Sequence, residues 1–278
     1  MTAGTIIIAA HNEAMVIGRT LDALADARAD SGIRLIVVCN GCTDATAQIA
    51  LGYRGVDVVE LAAPSKIGAL REGDRLAGAG PRIYLDADVV LTSRAAFAVV
   101  DALTQGAVAG RPPHVFDSSR ASWPVRAWYR TRADLPSISS ALWGAGCYAL
   151  SESGRARFEE FPDLVSDDLF IDSLFAADEA VIVPTDPVVV TTPRRLADLQ
   201  RILRRSYRTQ SEVAAHSSGL SSGQQSQLAD LAAIVRQQPR RAGDVVVYLT
   251  IVVVARLRAK FSRSSARWER DASSRESS

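Results

Sequence analysis

Hydrophobic positions in the first 110 residues fall into two alternating rhythms. Short unbroken apolar runs at Thr5–Ala10, Leu35–Cys39, Val56–Leu61 and Ile83–Leu85 have the length and β-branched content of strands. Between them, apolar residues recur at helical spacing: Glu13–Ala27 carries Val16, Ile17, Leu21 and Leu24. Further helices are expected near Asp44–Leu51, over Lys66–Ala77 and near Ser93–Leu103, ahead of a strand at Ala107–Gly110. This alternation implies an α/β fold, with a Rossmann-like, mostly parallel sheet flanked by helices. Ligands of such sheets sit at the carboxyl ends of the strands. The polar residues there are His11, Asn12 and Glu13 after the first strand, Asn40 after the second, and Asp86 and Asp88 after the fourth.

The rhythm breaks over residues 111–143, where Trp123, Trp128, Trp143, prolines and arginines follow no clean period. A loop-rich insertion with a few short helices is expected there. WGAGCYALSESG then reads as a turn, a strand and a helix start. FPDLVSDDLFIDSLFAAD leads from a loop into a helix over about Asp168 to Ala177, followed by strands at Ala180–Val183 and Val188–Thr191. An arginine-rich helix from about Arg195 to Ala215 precedes the low-complexity HSSGLSSGQQS. A helix at Gln227–Gln237, an apolar stretch and a basic tail complete the chain. The expected organisation is one half over 1–110, a second half of the same domain over 111–215, a flexible connector at 216–226, and a C-terminal helical extension with a basic tail at 227–278.

With 278 residues, 47% apolar and 23% charged, the composition is that of an ordinary globular protein. A net charge of +1 argues against a nucleic-acid partner, although arginines crowd the last third of the chain. Three cysteines, Cys39, Cys42 and Cys147, cannot form a full disulfide framework, which points to a reducing cytoplasm. Cys39 and Cys42 spell C-x-x-C, but a zinc site needs two more ligands at suitable spacing. The chain opens on a strand with no basic n-region or apolar h-region, so no signal peptide is expected. The apolar run from Val245 to Ala255, 11 residues, is too short to cross a bilayer. Seven basic residues against two acidic ones follow between Arg256 and Arg275. The combination suits either a core-packed helix with a soluble tail or a peripheral anchor on the inner face of an anionic membrane.

Asp86 and Asp88 pose the main chemical question, because carboxylates at the end of a buried strand need a positive partner. Residues i and i+2 of an extended chain face the same way, so both acids would share one site. A hard cation such as Mg2+ or Mn2+ suits oxygen ligands, with one or two carboxylates holding it while substrate phosphates complete its shell. The plain alternative is a turn cap at Asp86 and a helix start at Asp88.

The blocks AAHNEA, VVCNGCTDATAQIA, SKIGALREG and DAD, in this order and at these separations, resemble the nucleotide-sugar half of inverting family 2 glycosyltransferases, which have the GT-A fold. The resemblance covers residues 5 to about 175. It implies transfer of a hexosyl group from a nucleotide-sugar, a UDP-sugar by preference, to a hydroxyl of a saccharide or lipid-linked glycan. Residues 1–110 would be the nucleotide-sugar-binding half and 111–215 the acceptor-binding and catalytic half. By the same resemblance, Ala10 and His11 pack against the uracil ring and Glu13 lies near the base and ribose. Asn40 stands where an acid hydrogen-bonds the base, and Lys66 lies near the base and phosphates. Asp86 falls on the ribose or a metal-bound water, Ala87 lies between the acids, and Asp88 coordinates the metal. Trp143 and Gly144, in WGAGC, match the segment facing the donor sugar and the acceptor.

In SDDLFID, Asp168 matches the catalytic base, with Asp167 in support. Ser166, Asp167 and Asp168 also read as an N-cap and first helical turn. Arg204 and Arg205 are candidates to stabilise the leaving diphosphate. The family's Q-x-x-R-W element has only a loose counterpart in Arg201 to Tyr207, and Asn40 replaces an acid. Two alternatives therefore stand beside the inverting enzyme: a retaining GT-A transferase, and a nucleotide-sugar-binding protein without turnover.

Overall fold

A computed structural model of the chain describes residues 4–29, 32–164, 166–216 and 227–261. The connector beyond His216 and the basic tail beyond Phe261 lie outside the described residues. The chain divides into two units. The first comprises Met1–His114, Leu142–Asp163 and Leu174–Val190; the second comprises Val115–Ala141, Leu164–Ser173 and Thr191–Ser278.

The first unit is built on a seven-stranded sheet. Its strands are β1 (Gly4–Ala10), β2 (Ile33–Asn40), β3 (Val56–Leu61), β4 (Arg82–Asp86), β5 (Ala109–Arg111), β7 (Cys147–Leu150) and β8 (Ala180–Ile182), in the order β3-β2-β1-β4-β7-β5-β8. β6 (His114–Asp117) and β9 (Val188–Thr191) stand outside it. β1 to β4 run parallel, β7 runs antiparallel to β4 and β5, and β8 is parallel to β5. The mostly parallel α/β sheet expected from the sequence is therefore present. β1 is central and covered on both faces, so Ile6, Ile7 and Ile8 are all 0% exposed. Each such side chain contributes about 1.5–3 kcal/mol on burial. The edge strand β3 instead turns Asp57 and Glu60 to solvent.

Helices α1 (Ile17–Ala23), α2 (Ala25–Ala29), α3 (Thr46–Leu51), α4 (Lys66–Ala77), α5 (Ser93–Thr104) and α8 (Glu152–Arg155) belong to this unit. α4 packs tightly on β1, where a Cβ on Gly73 would collide with the Ile7 side chain. The helix expected over Glu13–Ala27 starts late, because Glu13 to Val16 form a turn in which the Glu13 carbonyl accepts from Val16 N and Ile17 N at 2.9 Å each. It also breaks at Leu24. At the amino end of β4, Asp74 of α4 accepts the Tyr84 hydroxyl at 2.6 Å and pairs with Arg82 at 3.1 Å and Arg155 at 2.6 Å. Burial and the Asp74 charge hold the Tyr84 phenol well above its usual pKa.

The second unit is helical: α6 (Trp123–Ala133), α7 (Pro136–Ser139), α9 (Asp167–Asp172), α10 (Leu196–His216), α11 (Gln227–Gln237) and α12 (Ala242–Phe261). α6 and α7 are the short helices expected within the loop-rich stretch 111–143. Pro124 fits the first turn of α6, where no amide hydrogen is needed, and Val125, Trp128 and Tyr129 form that helix's buried face. The Arg132 guanidinium lies 5.2 Å from the Trp128 ring centre, so an arginine completes a stripe that a hydrophobic count misses. α9 is shorter than the helix expected to reach Ala177. No described helix is long and apolar enough to cross a membrane.

Candidate active site

β4 ends at the same edge of the sheet as β1 and β2: Ala9 pairs with Asp86 and Ala10 with Cys39. The chain turns immediately, with Val89 N donating to Asp86 O at 3.1 Å. Asp88 therefore sits in a turn rather than two places along an extended strand, which corrects the geometric premise of the i, i+2 reading. Ala87 is buried at 3% exposure, while Asp86 and Asp88 on either side are half-buried. Helix α1 braces this turn: the Thr20 hydroxyl donates to Ala87 O at 2.7 Å and Arg19 donates to Asp88 O at 3.0 Å.

On the other flank, Asp86 N donates to Gly146 O at 2.8 Å. Gly146 has φ +62°, and a Cβ there would lie 2.5 Å from Val89 Cγ2 and 3.1 Å from Asp86 Oδ2. Glycine alone lets the segment ahead of β7 approach so closely. Trp143 and Gly144 lie half-buried on that same segment. Within the protein, Asp86 meets Lys66, whose Nζ is 2.7 Å from Oδ1, with side chains 28% and 39% exposed. Lys66 opens α4, but the capping role falls to Ser65, whose hydroxyl accepts Gly68 N at 2.9 Å. Among the described residues there is no cluster of three or more His, Cys, Asp or Glu able to hold a metal. Two hard-oxygen carboxylates with room for a ligand's own oxygens fit Mg2+ or Mn2+, and do not fit a closed structural site.

The ends of β1 and β2 are laced together. His11 Nδ1 lies 2.6 Å from the Asn40 carbonyl oxygen, so that nitrogen carries the proton and Nε2 is the accepting one. Asn40 Nδ2 donates to Ala10 O at 2.8 Å, while its buried Oδ1 has no hydrogen-bond partner among the described residues. Asn12, at φ +53°, places its Oδ1 to accept from Thr43 N at 2.6 Å, the Thr43 hydroxyl at 3.2 Å and Asp44 N at 3.2 Å. Glu13 is buried, and its N donates to Thr46 Oγ1 at 2.7 Å. Asp44 accepts from Ala14 N at 3.2 Å and Thr46 N at 3.0 Å, so it caps the start of α3 and delays that helix to Thr46.

Burial pushes the Cys39 thiol up to about 12, with Cys42 adding to the effect. Burial likewise takes Cys147 up to about 12, against the opposing influence of Arg111. All three cysteines are free, and thiols as reluctant to ionise as those of Cys39 and Cys147 are poor metal ligands and nucleophiles.

The first unit thus brings Ala10, His11, Glu13, Asn40, Lys66, Asp86, Ala87 and Asp88 to one sheet edge, with Trp143 and Gly144 on the segment beside Asp86. The other four candidates lie in the second unit. Asp167, buried, and Asp168, half-buried, open α9, and Asp168 Oδ1 accepts Leu169 N at 2.9 Å. The Ser166 side chain makes no capping bond. Arg204 and Arg205 are half-buried on α10, which packs on α9. The sequence marked Asn12 at the end of β1 without giving it a role, and gave no indication of Arg19, Thr20 or Gly146. Asn12 and Gly146 lie inside segments already singled out, whereas Arg19 and Thr20 leave no signal beyond being polar residues on an apolar helix.

The sheet order, flanking helices and acidic turn after the fourth strand make this a GT-A fold, that of a glycosyltransferase. The chain belongs to Glycosyl transferase family 2, whose sequence profile matches residues 5–149. Solved structures share the fold. A mannosyltransferase, PcManGT, from Pyrobaculum calidifontis in complex with GDP-Man and Mn2+ aligns at TM-score 0.67 and 19% identity, over 94% of this chain and 88% of that one. TarS 1-349 of S. aureus in complex with UDP aligns at TM-score 0.55 and 12% identity, over 94% and 91%. Glucosyl-3-phosphoglycerate synthase from Mycobacterium tuberculosis, in complex with Mn2+, UDP and glucosyl-3-phosphoglycerate, aligns at TM-score 0.55 and 18% identity, over 76% and 79%. No curated protein sequence matches the chain.

Proposed function

We propose that this glycosyltransferase moves a sugar from a nucleotide-sugar, a UDP-sugar by preference, to a hydroxyl of a saccharide or lipid-linked glycan, with inversion at the anomeric carbon. The observation that carries the reading is the Lys66–Asp86 pair at 2.7 Å, beside Asp88 and the unpartnered Asn40 Oδ1 at one sheet edge. A buried acceptor left unpaired costs about 1–3 kcal/mol, which a nucleobase imide N–H would relieve. Ala10 and His11 would flank the base, with Glu13 toward the ribose. Lys66 would meet the phosphates, and Asp86 the ribose side. Asp88, with Asp86, would hold Mg2+ or Mn2+, which supplies positive charge opposite the leaving diphosphate. Trp143 would offer an apolar face to a sugar ring, with Gly144 leaving room beside it.

In the reaction, Asp168 takes the proton of the attacking hydroxyl, supported by Asp167. The hydroxyl oxygen bonds to the anomeric carbon as its bond to the phosphate oxygen breaks and the electron pair leaves with the diphosphate. Arg204 or Arg205 stabilises that charge. Burial of Asp167, with Asp168 half-buried beside it and no cap from Ser166, supports a chemical role for the pair in addition to the helical one that the Asp168 bond to Leu169 N serves. We place the enzyme in the cytoplasm, peripheral to the inner face of the membrane. Complexes of related folds with GDP-Man, UDP and Mn2+ support the donor class and leave the nucleotide to be measured. The test is a thermal-shift screen of UDP- and GDP-sugars with and without Mn2+. Stabilisation by one donor, and only with metal, is expected; donor-independent melting would overturn the reading. Product anomeric configuration separates inversion from retention.

A further inference from the structure

Helix α12 has two apolar faces, and only one is used. Val245, Tyr248, Ile251, Val252 and Ala255 are buried, and the helix packs on α6 and α10. Along the opposite side, Val246 (62% exposed), Val253 (53%) and Leu257 (52%) follow at helical spacing with the exposed Thr250 among them. This outward stripe is about 16 Å long at 1.5 Å per residue. No charged residue lies between Asp244 and Arg256, so the solvent side of α12 lacks the polar face a surface helix normally has.

The charges that do flank the stripe are graded. At one end Asp244 is neutralised by Arg130 at 2.7 Å. At the other, Arg256 and Arg258 are exposed, and seven basic residues against two acidic ones run from Arg256 to Arg275. The contacts of Arg130 with Asp244 and of Trp128 with Tyr248, ring centres 5.5 Å apart, show that α6 runs antiparallel to α12. Trp123, 56% exposed at the start of α6, therefore lies toward the arginine end of the pair. Exposed tryptophan, arginine and an aliphatic stripe are the parts of a helix that lies in a bilayer interface. With one face already buried, the helix is suited to lie on a bilayer, not to cross it.

We propose that the outward stripe of α12 seats on an anionic lipid bilayer, with Val246, Val253 and Leu257 among the acyl chains and Arg256 and Arg258 at the phosphates. This rests on the membrane placement proposed above and names the surface responsible. The test is co-sedimentation of the full chain with vesicles of phosphatidylcholine alone and with phosphatidylglycerol added. Binding to the anionic vesicles is expected, weakened by salt. A Val253→Asp/Leu257→Asp variant should lose about tenfold or more in binding, and Arg258→Gln a smaller amount, with melting temperature and the donor-induced thermal shift unchanged. The proposal is overturned if the wild type stays in the supernatant, if the double variant binds as well as the wild type, or if the vesicle-free protein is a dimer that the double variant dissolves. Failure of the donor thermal shift with vesicle binding intact would instead remove the sugar-transfer reading and leave this surface standing.

Discussion

Strand β4 carries charge at both of its ends, and the ends are built on opposite principles. At its start, Arg82 joins Arg155 and Tyr84 around Asp74, in side chains 12%, 15% and 9% exposed for Arg82, Arg155 and Asp74. There each charge is paired with another inside the protein, although Arg82 Nε makes no hydrogen bond among the described residues. At its finish, Asp86 meets Lys66 in a pair 39% and 28% exposed, on a turn whose backbone atoms are held by Arg19, Thr20 and Gly146. The backbone of the acidic turn is fixed while its carboxylates are left accessible. Rigidity at one end and exposure at the other fit the proposal that the first charge holds the fold and the second meets a ligand.

Substitutions at the two ends should therefore separate stability from activity. The largest effect is expected from Asp168→Asn or Asp88→Ala, which should cut product formation about a thousandfold while leaving thermal unfolding nearly unchanged. A stable protein with full turnover would break the comparison. Asp74→Ala should do the reverse. Two partly buried arginines lose their common partner, at about 3–5 kcal/mol in denaturant unfolding, while donor affinity of the folded fraction is retained. Gly146→Ala falls between, because it touches both properties. A Cβ at φ +62° against Val89 and Asp86 should cost about 1–3 kcal/mol and weaken metal-dependent donor binding in calorimetry. Lys66→Met should have the smallest effect on folding, within about 1 kcal/mol, since the pair is half exposed. It should nonetheless lower donor affinity about tenfold if Lys66 meets a phosphate.

Much of the first unit was legible because its central strands β1, β2 and β4 are buried on both faces and so read as plain apolar runs. β3, α4, β9 and α11 have the boundaries the pattern predicts. α6 could be placed only as a short helix in a loop-rich stretch, because Pro124 and three arginines mask the i, i+3, i+4 spacing of Val125, Trp128 and Tyr129. At the site, Asp86, Lys66, Asn40 and His11 could be named from their positions after strands. Arg19 and Thr20 could not, because their role depends on α1 lying beside the turn after β4, more than sixty residues away. The delay of α1 to Ile17 hid them further. Gly146 differs from the chain's other glycines only in what a Cβ would strike.

The Asn12 side chain has a consequence for the order of events in folding. Its oxygen gathers donors from Thr43 and Asp44, 31 and 32 residues along the chain, and those loops meet only once β1 and β2 are paired through their crossover. Long-range parallel pairing is slow compared with helix formation. The edge proposed to face the nucleotide is thus among the last parts of the molecule to exist during refolding, and donor binding should appear later than helical circular dichroism. A chain that has only collapsed would look helical and still be blind to its substrate.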